Sequence, residues 1–246
     1  MGATVNELRW GAGDQGECMS RDSRSVEAER TFEQGQAHHG SGRHEQALES
    51  FRHAAGLFAT MGDRERQGDA LQAAAMLCVT NDRGDEALAL FAEIADVFRS
   101  EGDHEKLAVA LGNLGLLLAR QARLEEAIGC FEESQALFEQ AGNRFAAAQQ
   151  LGNIGSSCRD LDRPDAALEH YHKALGLYRQ LGRIEEVADQ YTNIAYAWIM
   201  KDAPAEAVGW YRKAVELYAE ANSEPKLQAT RQNLELLTAT LGDAAR

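Results

Sequence analysis

Residues 104–143 read HEKLAVALGNLGLLLARQARLEEAIGCFEESQALFEQAGN, and this stretch decides the fold. Its first half places Leu111, Leu114 and Leu118 at the i, i+3 and i+7 spacing of one helical face. A short polar break follows, and a second apolar stripe then ends at Gly142, which is typical of a helix C-terminus. The stretch therefore predicts two consecutive helices joined by a tight turn.

The same pattern recurs every 40 residues along most of the chain. Each unit has an alanine at one fixed position: Ala47, Ala87, Ala127, Ala167 and Ala207. Four residues later each unit has an aromatic residue: Phe51, Phe91, Phe131, Tyr171 and Tyr211. We therefore predict five helix pairs, over residues 24–63, 64–103, 104–143, 144–183 and 184–223. One pair cannot bury its apolar stripe alone, so stacking of the pairs would build a continuous core.

The order of small and aromatic residues in a unit resembles the tetratricopeptide repeat. In the third unit these residues are Gly115, Ala127, Phe131 and Ser134. The usual repeat has 34 residues, and the longer unit of this chain is similar to that of LGN/Pins-type scaffolds and many bacterial repeat proteins. The resemblance implies an all-α, right-handed solenoid of five such helix pairs. We expect the small residues to let paired helices approach, and the aromatic residue to fill the gap between neighbouring pairs.

The two ends of the chain lack the repeat. Residues 1–23 are polar and glycine-rich, without an apolar core for a secretory signal, and they predict a disordered tail. Residues 224–246 predict a C-terminal capping helix and a short tail, because one unpaired helical stripe occurs there: Leu227, Leu234, Leu237 and Leu241.

Composition excludes several function classes. The chain has 25 Lys and Arg against 39 Asp and Glu, a net charge of −14, which disfavours nucleic acid and anionic membranes as partners. It has no apolar run long enough to span a membrane. The four cysteines have no short spacing, which favours a reducing cytoplasm over a disulfide or metal role. We therefore expect a cytoplasmic protein without a metal.

Motifs of common enzyme classes are also missing from the sequence. It contains no GxxxxGK[ST], HExxH or GxSxG. We expect no catalytic residues, no cofactor and no enzymatic activity.

Four asparagines form the main candidate site. Asn113, Asn153, Asn193 and Asn233 are spaced by 40 residues on the first helices of their units, which line the concave side of such solenoids. Asparagine is a poor residue for a helix interior, so its recurrence suggests a purpose. Similar ladders bind peptide backbones in several families with this repeat, and the resemblance implies that role here. The alternative is that these side chains bond only water or the neighbouring helix.

Further residues on the same face would give side-chain selectivity. Polar contacts are expected from Gln149, Arg159, Asp189 and Thr192. An apolar floor is expected from Tyr196, Ile199 and Met200, although packing against the capping helix would equally explain Tyr196 and Met200. The N-terminal end of the groove would be acidic, with Glu29, Glu33 and Asp69.

The sequence favours a non-catalytic protein–protein interaction module. Its concave groove would bind an extended or helical peptide segment of another protein. One alternative is a regulatory sensor that responds to a peptide. Another is a structural protein that self-associates when its tail or first unit docks into the groove of the next copy.

Overall fold

Residues 21–244 are described by the computed structural model, and they form eleven α-helices with no strand among them. The helices are α1 (Arg21–Gly40), α2 (His44–Met61), α3 (Arg64–Thr80), α4 (Gly84–Glu101), α5 (His104–Arg120), α6 (Leu124–Gln140), α7 (Arg144–Asp160), α8 (Pro164–Gln180), α9 (Ile184–Met200), α10 (Pro204–Glu220) and α11 (Glu224–Ala244). The predicted all-α solenoid of helix pairs with a further C-terminal helix is confirmed. Helix α1 begins before residue 24, and the rest of the predicted tail lies outside the described residues.

Every helix junction contains one residue with left-handed backbone geometry. Within the pairs these residues are Gly42, Asp82, Ala122, Asp162 and Asp202, and between the pairs they are Gly62, Gly102, Gly142, Gly182 and Asn222. The backbone amide of the residue after Gly62 donates to the carbonyl of Phe58 at 3.0 Å, which satisfies a carbonyl that the helix end leaves free. Helices α1, α3, α5, α7 and α9 therefore end at the same repeat position, and the ends of α2, α4, α6, α8 and α10 agree within one residue.

Three side chains cap the helices that follow these junctions. Asp63, Asp103 and Asn143 each accept a hydrogen bond from the backbone amide three residues later, at 3.0–3.1 Å. This capping satisfies one of the free amides at the start of α3, α5 and α7.

The sequence predicted that the repeated aromatic residue fills the gap between neighbouring pairs. In the structure it packs inside its own pair instead. A Cβ at Gly115 would lie 2.6 Å from Cε1 of Phe131, so the ring packs on the glycine of its own pair. The space between pairs is filled instead by Phe138, which packs against Ala108 of α5 and Ala147 of α7. The glycine provides the room for the ring inside the pair.

The odd-numbered helices form the inner surface of the solenoid. Helix α5 contacts α7 directly, and α7 contacts α9. At the C-terminal end, α11 packs against α10, and its Leu234 and Leu237 contact the cluster of Ala195 and Tyr211. Among the described helices, none combines the length and the apolar character needed to cross a bilayer.

A carboxamide-lined groove on the inner surface

One groove runs across four consecutive odd-numbered helices. It has a volume of about 760 Å³ and is lined by one face each of α5, α7, α9 and α11, with Phe138, Tyr178 and Tyr218 from the even-numbered helices. We refer to it as the inner groove. All four predicted asparagines line it, because the 40-residue period places one on each of these helices.

These four side chains are the asparagine ladder, and most of their hydrogen-bonding groups are free. Asn113, Asn153 and Asn193 are half-buried and Asn233 is exposed. The Asn153 amide donates to Oε1 of Gln150 at 3.4 Å. Within residues 21–244, the other three carboxamides have no hydrogen-bond partner and none reaches a neighbouring helix. The ladder therefore presents donors and acceptors along the groove.

Three of the predicted polar contacts also line the inner groove: Gln149, Asp189 and Thr192. The Asp189 carboxylate is already engaged, since it accepts from the Tyr218 hydroxyl at 2.7 Å and from Nζ of Lys226 at 2.8 Å. Thr192 donates to the carbonyl of Ala188 at 3.2 Å. Gln149 is the exposed member of the three.

The other four predicted residues do not line the inner groove. Arg159, Ile199 and Met200 lie in the last turns of α7 and α9, beyond the ladder, and Tyr196 lies one turn before the end of α9. The Arg159 guanidinium stacks over the Tyr196 ring at 5.5 Å. Tyr196 is 49% exposed, and Ile199 is also exposed, so these residues project from the surface and form no floor.

The floor is formed by two glutamines that the sequence analysis did not select. Gln150 and Gln190 are 8% and 5% exposed and line the groove one repeat apart. Each amide lies against a glycine of the preceding odd-numbered helix: a Cβ at Gly112 would be 3.4 Å from the Gln150 amide, and one at Gly152 would be 3.7 Å from the Gln190 amide. The two glutamines are 40 residues apart, as are the two glycines, and this spacing could have been recognised in the sequence.

Apolar side chains lie at the N-terminal end of the inner groove, on α5, whereas the predicted acidic residues belong to α1 and α3, outside this groove. Val109 and Leu116 are exposed and line the groove. Further toward the N-terminus, Arg66 donates to Glu29 at 2.9 Å and to Asp69 at 3.3 Å, which neutralises part of the predicted acidic charge. The equivalents of Leu116 are Met76 in the second unit and Tyr196 in the fifth, but Ser156 in the fourth, so the repeat alone did not predict an apolar end.

The pKa values of three groove residues, Tyr178, Tyr218 and Lys226, are raised from their ordinary values. Burial raises the pKa of Tyr178 and of Tyr218, so both remain protonated hydroxyls. Burial opposes the charge on Lys226, but hydrogen bonds to Asp189 and Glu185 outweigh it and raise the Lys226 pKa. In the part of the chain that the structure describes, no group of three or more His, Cys, Asp and Glu side chains could hold a metal ion.

Comparisons with known families agree with this architecture. Residues 66–140 match the model of the tetratricopeptide repeat, and residues 119–245 match that of the soluble NSF attachment protein, SNAP. None of the curated proteins matches the chain in sequence.

Solved structures share the fold at low sequence identity. BtubC (BKLC) from P. vanneervenii is 17% identical, with a TM-score of 0.60 over 83% of this chain and 93% of its own. The MamA protein is also 17% identical, with a TM-score of 0.61 over 81% of this chain and 96% of its own. A signal transduction ATPase from Pyrococcus horikoshii with a tetratricopeptide repeat sensor is 14% identical, with a TM-score of 0.63 over 89% of this chain and 38% of its own.

One family accounts for the helix pairs, for their 40-residue period and for these similarities. The chain belongs to the tetratricopeptide repeat proteins, with more than half of its length matching the soluble NSF attachment protein model.

Proposed function

We propose that the protein is a non-catalytic interaction module whose inner groove binds a peptide segment of a partner protein. The observation that carries this proposal is the asparagine ladder: four carboxamides, one per odd-numbered helix, line a single groove, and three have no partner within residues 21–244. A carboxamide has both donors and an acceptor, so it can pair with both polar groups of a peptide unit.

The spacing of the ladder favours an extended segment over a helical one. Packed helices lie about 8–10 Å apart, and three residues of an extended chain span roughly 10 Å. Successive asparagines would therefore meet peptide units that are three residues apart. A helical segment satisfies its own backbone hydrogen bonds and would leave most of the ladder unpaired.

The family comparisons support an interaction role in general terms. The SNAP family, whose model matches residues 119–245, is named as an attachment protein, and the Pyrococcus ATPase is described as having a tetratricopeptide repeat sensor. Both descriptions concern those proteins. For this chain, the ladder supplies the argument for a peptide.

The proposal is tested with a library of random dodecapeptides displayed on phage and selected against the full chain. Enriched peptides are then titrated by calorimetry against the wild type and against the double variant Asn153→Ala, Asn193→Ala. We expect at least roughly tenfold weaker binding to the double variant, because each lost hydrogen bond contributes on the order of 1 kcal/mol. The matched control is Gln46→Ala, which removes an exposed carboxamide from α2, outside the groove.

Two outcomes would contradict the proposal. Enriched peptides that bind the double variant as tightly as the wild type would place the site elsewhere. No enrichment, together with a mass in solution that rises with concentration, would favour the self-associating alternative.

A further inference from the structure

The two glutamines on the floor of the inner groove occupy equivalent positions but differ in their partners. Oε1 of Gln150 accepts a hydrogen bond from Asn153, three residues later on α7. The equivalent donor for Gln190 would be Asn193, but Oε1 of Gln190 is buried with no hydrogen-bond partner among the described residues. Since Gln190 is 5% exposed and lines the groove, an acceptor that is normally paired in protein interiors lies unpaired just beneath the groove surface.

A glycine of the preceding odd-numbered helix packs beside this amide. Gly152 on α7 lies beside the Gln190 amide, and a Cβ there would approach both amide atoms to 3.7–3.8 Å. Both residues line the groove, between Asn153 and Asn193 of the ladder. The Gln190 amide thus lies deeper than the half-buried ladder, where a side chain of a bound peptide would reach.

A hydroxyl group without a partner lines the same groove. Tyr178 has no hydrogen-bond partner within residues 21–244, whereas the equivalent Tyr218 donates to Asp189. Because burial keeps the Tyr178 hydroxyl protonated, it is available as a donor. The structure therefore has one free acceptor and one free donor in this groove.

Charge near this subsite is already compensated. The nearest carboxylate along α9, Asp189, is bonded to Lys226 and to Tyr218. A charged group entering the subsite would lose hydration without gaining an unpaired counter-charge. A neutral group with both an N–H donor and a carbonyl acceptor complements Gln190 and Tyr178 best.

We propose that the space between α7 and α9 is a subsite for the carboxamide side chain of an Asn or Gln in the bound peptide. This inference rests on the proposed function and deepens it. The ladder holds the peptide backbone, and Gln190 with Tyr178 selects one side chain.

The test uses dodecapeptides enriched on the wild-type chain, resynthesised with the enriched Asn or Gln changed to Leu or to Asp. We expect the carboxamide peptide to bind at least roughly tenfold more tightly than either analogue. The variant Gln190→Leu should abolish or reverse the preference over the Leu analogue, whereas Gln46→Leu on α2 should leave it unchanged. If Gln190→Leu lowers the melting temperature, Tyr178→Phe provides a second test of the same preference, because it removes only the hydroxyl.

The outcomes separate this inference from the proposed function. Equal affinities for the carboxamide peptide and its Leu analogue, with binding still weakened by the ladder double variant, would overturn the subsite and leave the proposed function standing. A preference that survives both Gln190→Leu and Tyr178→Phe would also overturn it. Binding that is absent, or insensitive to the ladder variant, would overturn both.

Discussion

The ring of Phe131 lies directly over the backbone of Gly115, where a Cβ would be only 2.6 Å from the nearest ring atom. The next repeat has the same relationship between Tyr171 and Gly155, again at 2.6 Å. Both rings are almost fully buried, so neither can move aside into solvent. This contact sets how closely the two helices of a pair approach.

The variant Gly115→Ala should therefore destabilise the protein. The added methyl group must displace a buried ring, which typically costs about 1–3 kcal/mol. Gly129→Ala is the matched control: apart from its chain neighbours and its own helix backbone, nothing lies within 4 Å of a Cβ at Gly129 on α6. Alanine there should stabilise the protein by up to about 1 kcal/mol. Urea unfolding of both variants measures the difference, and equal stabilities would show that the ring moves at little cost.

Two leucines of α11 should respond differently to the same substitution. Leu227 is 5% exposed and belongs to the main core, so Leu227→Ala should cost about 2–5 kcal/mol. Leu236 is 62% exposed, so Leu236→Ala should change stability by less than about 0.5 kcal/mol. Thermal melting compares them. Similar melting temperatures would mean that α11 does not close the core as a capping helix.

Removal of residues 1–20 should leave the melting temperature unchanged within error. The segment has no apolar period with which to pack against the solenoid. Melting of the truncated and full chains by circular dichroism checks this expectation. A decrease of several degrees would show that the segment docks on the helices, and peptide titrations of both chains would then show whether it competes for the inner groove.

Acid should weaken the ion pair between α9 and α11. The hydrogen bond from Lys226, with Nζ 2.9 Å from the Glu185 carboxylate, holds the Glu185 pKa below its ordinary 4.5. A lowered folded-state pKa contributes stability above pH 4.5, and this contribution is lost as the pH falls through the lowered value. From about pH 5 to about pH 3, the melting temperature of the wild type should fall more steeply than that of Lys226→Met. Parallel curves would contradict the assignment.

The period of the sequence predicted the architecture because each feature of a helix pair is local. The left-handed glycines and the apolar stripes lie within one repeat, and their spacing is visible without a structure. The placement of the four asparagines on one face also follows from the period. For the same reason, Gln150 and Gln190 could have been found from their 40-residue spacing.

Side-chain contacts between helices could not be predicted from the 40-residue period. Asp189 looked free in the sequence, but its partners Tyr218 and Lys226 come from α10 and α11, 29 and 37 residues away. Phe131 packs inside its pair because Gly115 leaves room there, a preference that spacing alone does not distinguish from packing between pairs. These features depend on side-chain geometry across helices.

The uniform left-handed junctions make the repeats interchangeable as building blocks. Because the junction at Gly102 has the same backbone geometry as that at Gly142, a copy of residues 104–143 spliced after Asn143 would meet the same joint at both ends. Each duplication would add one carboxamide and roughly 10 Å of groove. The length of the peptide recognised could therefore evolve, or be engineered, in steps of about three residues by gene duplication alone.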